Sequence, residues 1–171
     1  MGWLLWEAGA TPLVCARTRW AFILSPSVAV HFIFHAGAIG IGADVARILI
    51  ADGNKASRTL LKTLLERHDD WSVCGVAENG DEAVQKAIEL KPDIILLEVE
   101  MPKLDGLSAC RLIRKKVPRA EILILTEYQS LELARIAAQS GAGGYVSKSL
   151  ITRDLIPAIE AMMNRKRLRI F

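Results

Sequence analysis

Residues 92–107 read PDIILLEVEMPKLDGL. Four aliphatic residues, Ile94–Leu97, run without interruption into an acid, Glu98, and the run lies between Pro92 and Pro102. A short continuous apolar run bounded by chain breakers is the pattern of a parallel strand buried on both faces, because such a strand has no solvent side to carry polar residues. Glu98 therefore stands where the chain leaves a core.

Apolar β-type runs occur on either side: Arg47–Ala51 (RILIA), Trp71–Ala77 (WSVCGVA), Glu121–Thr126 (EILILT) and Gly144–Ser147 (GYVS), three of the five being near-continuous apolar. With Ile94–Glu98 they make five predicted strands. The segments between them have helical period. Ala56, Leu60, Leu61, Leu64 and Leu65 share one face, as do Ala83, Val84, Ala87 and Ile88, and later Leu155, Ile159 and Met162. Asn79-Gly80, Lys91-Pro92, Val117-Pro118 and Gly141–Gly144 punctuate the alternation. Strand and helix in turn predict an α/β fold, a (βα)5 doubly wound parallel five-stranded sheet.

In that architecture sites form at the carboxyl ends of the strands. Those ends hold Asp52, Glu98, Thr126 and Lys148. Two carboxylates, a hydroxyl and an amine from four strands suggest a site. The alternative is that Asp52 and Glu98 pair with Lys148 only for stability, since a polar group at the rim of a core must be paired or solvated.

These stretches, RILIADGN, VAENGDEAV, PDIILLEVEMPKLDGL, ILILTEY and SGAGGYVSKS, resemble the receiver domain of bacterial two-component response regulators, in the family's order and over about residues 45–163. The spacing of Glu98, Met101, Pro102, Asp105 and Gly106 is close to a family signature. The resemblance implies a flavodoxin-like receiver fold and transfer of a phosphoryl group from a histidine kinase to an acid at the end of the third strand, the position of Glu98. It implies Thr126 and Lys148 as the grip on phosphoryl oxygens and Tyr145 as a switching aromatic. It also implies Asp52 and the backbone carbonyl of Glu100 as parts of a Mg²⁺ site.

Two positions depart from the family pattern. Glu98 replaces the acceptor aspartate, and Gly53 replaces the second acid of the pair that begins with Asp52. In the family that second acid touches the metal directly. Mg²⁺ demands near-ideal octahedral oxygen geometry, so its binding is expected to be weakened. Glu98 adds a methylene and moves its carboxylate by about 1.5 Å, where a shift of ~1 Å already costs ~10²-fold in rate. Phosphorylation-independent action is the expectation, with Glu98 as a partial mimic of the phosphorylated state. The mimicry is partial because a carboxylate carries one charge and a phosphate monoester about −1.5 to −2. Drift in a gene that lost its role, and continued phosphorylation on Glu98, are the alternatives.

Composition separates the chain into two parts. Of 171 residues, the first 43 carry only Glu7, Arg17 and Arg19 as charges and are apolar at 27 positions. Trp20–Gly42 contains no Asp, Glu, Lys or Arg, long enough for a bilayer span but diluted by Pro26, serines, His31, His35 and glycines. Three readings of residues 1–43 stand in order: a mis-called start or disordered extension (Val45 suits a GTG start), a membrane anchor at residues 20–42, and a cleaved signal. His31 and His35, without an acid or cysteine nearby, are not read as a metal site.

Residues 44–163 are read as the receiver and residues 164–171 as a basic tail. The formal net charge of +3 argues against strong polyelectrolyte binding, and no specific nucleic acid is expected. A remnant of a DNA-binding regulator is an alternative. Cys15, Cys74 and Cys110 form no C-x-x-C, which favours free thiols in a reducing cytosol. Ser147 before Lys148-Ser149 excludes a P-loop, which needs glycine there. Arg111, Arg114, Lys115 and Lys116 are read as a solvated helix face. The chain is expected to be a cytoplasmic signalling module, not an enzyme. Its expected partners are a histidine kinase, a downstream protein or another receiver. They would meet the face made by the fourth helix, fifth strand and fifth helix, roughly Ser130–Gln139, Tyr145–Val146 and Thr152–Met163.

Overall fold

The two strands Ile94–Glu98 and Glu121–Thr126 are buried at every residue, which follows when strands lie inside a sheet covered by helices on both faces. The computed structural model describes residues 45–128 and 130–168. The readings that fall on residues 1–43, including the span at 20–42, Cys15, His31 and His35, lie outside them. In chain order the elements are β1 (Ala46–Ala51), α1 (Lys55–Leu65), β2 (Trp71–Ala77), α2 (Gly80–Leu90), β3 (Ile94–Glu98) and α3 (Gly106–Lys116). They continue with β4 (Glu121–Thr126), α4 (Leu131–Gln139), β5 (Gly144–Ser147), a 3-10 turn (Lys148–Leu150) and α5 (Ile151–Leu168).

All pairings are parallel, and the sheet order is β2-β1-β3-β4-β5. The predicted doubly wound α/β sheet is therefore what the chain forms. The order reverses between β1 and β3, so the crevice lies at the carboxyl ends of those strands. Cys74 is skipped where β1 pairs with β2, the register jumping from Ile48↔Val73 to Leu49↔Gly75.

Alternate strand residues feed two cores. Leu49, Ile95, Leu97, Ile122 and Ile124 pack with Ala83, Ala87, Ala109, Cys110, Ile113 and Ala137 from α2, α3 and α4. Ile48, Ile50, Ile94, Leu96, Leu123 and Leu125 pack with Leu61, Leu65, Leu155, Ile159 and Met162 from α1 and α5. Burial pushes the Cys110 thiol up to about 11 and also raises that of Cys74, so neither is a ready thiolate at neutral pH.

Two of the predicted helix faces are narrower than their apolar spacing suggested. Ala56 and Leu60 on α1 are exposed, as is Ile88 on α2. Each helix meets the sheet along one line of contact, which the i, i+4 pairs Leu61/Leu65 and Ala83/Ala87 already fill.

The reading of Arg111 and Arg114 as merely solvated is corrected. Arg114 donates to the carbonyls of Gly141 (2.9 and 2.7 Å), Pro118 (3.1 Å) and Ala120 (2.9 Å). Arg111 donates to the hydroxyls of Ser140 (3.0 Å) and Ser108 (3.1 Å). Arg114 uses its guanidinium fork to satisfy loop carbonyls, and Arg111 ties Ser140 at the end of α4 to Ser108 within α3. Gly141 holds φ +94°, a left-handed conformation that favours glycine, against the Arg114 side chain.

At the carboxyl end of the sheet, Asn54, Asn79, Asp105 and Ser130 cap α1, α2, α3 and α4 through their side chains. Four helix N-termini are thereby fixed around the crevice. Gly106 lets α3 approach β3: a Cβ there would stand 1.9 Å from the Glu98 carbonyl oxygen. Gly106→Ala is expected to cost at least about 3 kcal/mol, because backbone cannot yield as a side chain does. A urea midpoint equal to that of the unsubstituted protein would contradict this.

At the opposite end α5 continues past Met163 to Leu168. Arg165 donates to the Gly143 carbonyl (2.8 Å), and Lys166 pairs with Asp93. Asp93 also accepts from the Arg47 amide (2.9 Å). Burial raises its carboxyl, but the Arg47 amide and Lys166 outweigh that and hold it below the usual range. No helix among the described residues is long and apolar enough to cross a membrane.

Candidate functional site

Asp52 follows the last residue of β1 and is 1% exposed; Glu98 ends β3 and is 3% exposed. The order reversal places them on neighbouring strands, with Lys148, just after β5, reaching between them. The Lys148 ammonium lies 2.8 Å from Asp52 Oδ2 and is paired with Glu98 Oε2, while the exposed Glu127 carboxylate is 3.6 Å away. One cation thus clasps two buried carboxylates from β1 and β3.

The remaining carboxylate oxygens are also taken. Asp52 Oδ1 accepts from the Asn54 amide (2.8 Å), and Oδ2 accepts from the Ser57 hydroxyl (2.6 Å). Glu98 Oε1 accepts from the amides of Val99 (2.9 Å) and Glu100 (3.3 Å). The longer glutamate side chain folds back over its own strand end to make those bonds.

The charges respond accordingly. Burial pushes the Glu98 carboxyl above its ordinary value, and the hydrogen bond and charge of Lys148 reverse only part of that. Burial works against the Lys148 charge, but the hydrogen bonds and charges of Asp52 and Glu98 outweigh it and raise the ammonium above its ordinary value. The cation is held firmly, and the acid opposite it is held less firmly.

Thr126 is fully buried, and its hydroxyl accepts from the Tyr128 amide (3.2 Å). The Tyr145 hydroxyl donates to the Tyr128 carbonyl and accepts from the Ser130 amide (3.3 Å). Thr126 and Tyr145 thereby hold the β4–α4 loop, while Asp52, Glu98 and Lys148 make the ionic cluster. Glu100 is exposed, and its carbonyl lies 3.9 Å from where a Cβ on Gly53 would stand.

Two contributors were not singled out from the sequence. Ser57 holds Asp52 from the first turn of α1. Arg58, its side chain 11% exposed, donates to the Asp52 carbonyl (2.8 Å) and pairs with Glu78 (2.5 Å). Both stand near the start of α1, just past its Asn54 cap, five and six residues after Asp52.

These donors fit a Mg²⁺ ion poorly. Asp52 and Glu98 converge on an ammonium, Gly53 contributes no oxygen, and no group of three or more His, Cys, Asp or Glu side chains that could hold a metal occurs among the described residues.

A doubly wound sheet of this order, with an acid–lysine cluster at the β1/β3 crevice and a hydroxyl ending β4, defines the receiver class of flavodoxin-like proteins. The response regulator receiver domain family matches residues 48–160, and the chain belongs to it. It is 38% identical over 122 residues to a protein-glutamate methylesterase/protein-glutamine glutaminase of Thermotoga maritima, covering 67% of this chain and 35% of that protein. It is 34% identical over 113 residues to the transcriptional regulatory protein LnrK of Bacillus subtilis, covering 66% of this chain and 51% of that one. The chain therefore spans about a third to a half of the length of these relatives.

Among solved structures, the response regulator domain of Thermotoga maritima CheB is similar with a TM-score of 0.66 and 32% identity, covering 70% of this chain and 97% of that one. A LuxR-family response regulator from Aurantimonas is similar with a TM-score of 0.68 and 35% identity, covering 70% and 86%. The domain is a response-regulator receiver of two-component phosphorelay signalling.

Proposed function

We propose that this receiver signals without being phosphorylated, Glu98 supplying a standing negative charge at the acceptor position. The observation that carries the reading is the Lys148 clasp on Glu98 and Asp52, beside a Gly53 that offers no second acid. Lys148 grips a carboxylate where the family would have it grip a phosphoryl oxygen. Tyr145, tied to the β4–α4 loop, keeps that loop in one arrangement. Asp52 and the Glu100 carbonyl are the remnant of a metal site.

The output is protein contact through the α4–β5–α5 face, roughly Ser130–Gln139, Tyr145–Val146 and Thr152–Met163. Leu131, 93% exposed, and the exposed Tyr128 and Ile136 lend it apolar surface. The partner is a histidine kinase or a downstream signalling protein, another receiver included. The module is cytoplasmic and not itself an enzyme.

Incubation with Mg²⁺ and acetyl phosphate, followed by intact mass measurement, tests this. The expected result is an unchanged mass. A stoichiometric phosphate adduct that disappears in Glu98→Ala would establish the alternative, a working acceptor at Glu98.

A second reading is favoured by the match to LnrK over 51% of that regulator. In it this receiver controls a DNA-binding output. Salt-dependent retention on duplex DNA beyond that of a neutral control protein would support it.

A further inference from the structure

The end of the sheet opposite Glu98 carries a second charged cluster that the signalling site does not use. There the C-terminal ends of α2 and α3, the first residues of β3 and β4, and the last turns of α5 surround a cleft of about 980 Å³. Four cations line it: Lys91, Lys116, Arg119 and Lys166. Two carboxylates also line it: Asp93, which offsets the Lys166 charge within the cleft, and Glu121. Asp93 is shared by Lys166 and the Arg47 amide. Glu121 is buried and partnered, its Oε2 lying 2.5 Å from where a Cβ on Gly143 would stand.

Lys91, Lys116 and Arg119 are different. All three are exposed, and their side chains have no hydrogen-bond or ion-pair partner among the described residues. The ends of α2 and α3 contribute about half a negative charge each. Three free cations exceed what those two helix ends call for. Lys91 also holds a left-handed conformation at the α2 C-cap, φ 48°, where glycine is the usual residue. A charged side chain thus occupies the lip of the cleft at a position that backbone preference would give to glycine.

The rest of the lining is apolar: Pro92, Val117, Pro118 and the 45%-exposed Ile88. Unpaired cations and apolar side chains lining one cleft, in a volume suited to a small molecule, favour a multiply charged anion with an apolar portion. Arg119 adds the planar fork that suits phosphate oxygens.

We propose that this cleft binds a phosphate-bearing organic anion, carried either by a free small molecule or by a lipid headgroup. The proposal does not rest on whether Glu98 is phosphorylated, because the two sites lie at opposite ends of the strands.

The test uses the full chain and Lys116→Gln/Arg119→Gln, which alters two unpartnered exposed side chains and leaves the fold unstrained. Inorganic pyrophosphate is titrated against ¹⁵N-labelled protein, with sodium chloride of equal ionic strength as reference. Saturable shifts are expected at the amides of Lys91, Lys116, Val117 and Arg119, with affinity reduced about tenfold or more in the double variant, the loss of roughly one good charge contact. Sedimentation with vesicles of phosphatidylglycerol in phosphatidylcholine separates the sources. Vesicle binding that falls in the double variant assigns a lipid headgroup; vesicle binding equal in the two proteins, alongside saturable pyrophosphate binding, assigns a free ligand. Non-saturating shifts, equal affinity in the double variant, or shifts confined to Thr126 and Lys148 would overturn the proposal.

Discussion

Lys148→Ala is expected to lower the unfolding free energy by about 3–5 kcal/mol at pH 7, because removing one member of a buried ionic cluster leaves uncompensated charge in the interior. Asp52 keeps the Ser57 hydroxyl and the Asn54 amide. Glu98 keeps two amides on Oε1, but Oε2 loses its ammonium. The penalty therefore falls mainly on Glu98, and Glu98→Gln in the same chain should recover a large part of it.

The loss should also depend on pH. Burial already holds the Glu98 carboxyl above its ordinary value with Lys148 present. Without Lys148 it must rise further. A carboxyl with a folded pKa above its unfolded value of about 4.3 binds its proton more readily in the folded state, so stability declines as pH rises through and above that value. Lys148 itself is raised, so the contribution of its charge is full below its unfolded value of about 10.4 and is lost as pH rises from there through its folded pKa. The gap between variant and unsubstituted protein should accordingly be smaller at pH 4 than at pH 8, read from urea midpoints by circular dichroism. A gap of the same size at both pH values would show that the clasp is not what stabilises the crevice.

Gly53→Asp/Glu98→Asp is expected to convert the domain into one that takes up a phosphoryl group from acetyl phosphate with Mg²⁺. At Gly53 the change requires the Pro102 ring to give by a few tenths of an ångström. A Cβ would meet only the Pro102 ring closely, at 3.2 Å, and would stand 3.9 Å from the Glu100 carbonyl oxygen. An aspartate there would bring a carboxylate beside that carbonyl. Shortening residue 98 withdraws its carboxylate from the bonds that now fold it back over β3. Together they provide the oxygen donors that Mg²⁺ requires and that this chain lacks. The rate should exceed that of the unsubstituted protein by about 10² or more, the scale on which misplacement of ~1 Å acts. Intact mass is the readout, and hydroxylamine should remove the adduct as it does an acyl phosphate. A folded double variant that stays inert would mean that something other than residues 53 and 98 blocks the chemistry.

Much of this architecture could be read from one chain. Apolar runs located all five strands; β1, β3 and β4, inside the sheet, are near-continuous aliphatic because both their faces are buried, while the edge strands β2 and β5 are mixed and only partly buried. The same logic marked Asp52, Glu98, Thr126 and Lys148, since a polar residue ending such a run must emerge at the mouth of the sheet. The departures at Gly53 and Glu98 show only through the resemblance to the receiver family, whose pattern carries aspartate at the acceptor position and a second acid beside Asp52.

Contacts made at a distance in sequence were not visible. Nothing in periodicity distinguishes Leu61, which is buried, from Leu60, which is exposed, because each lies within a plausible apolar arc until the sheet edge shows where contact stops. Arg114 reads as one more surface cation, yet besides the loop that follows α3 it satisfies the Gly141 carbonyl, 27 residues on, which approaches it only after folding. Lys91, Lys116, Arg119 and Lys166 are scattered along the chain and line one cleft because three helices end at the same edge of the sheet.

Order of elements, buried strands and the identity of the strand-end residues follow from local pattern, which burial imposes on every residue of an element at once. That Lys148 joins Asp52 to Glu98, that Tyr145 bonds the β4–α4 loop and that cations gather at the opposite end depend on strand order. Strand order brings β1 beside β3 and β4 beside β5, and no local pattern encodes those long-range pairings.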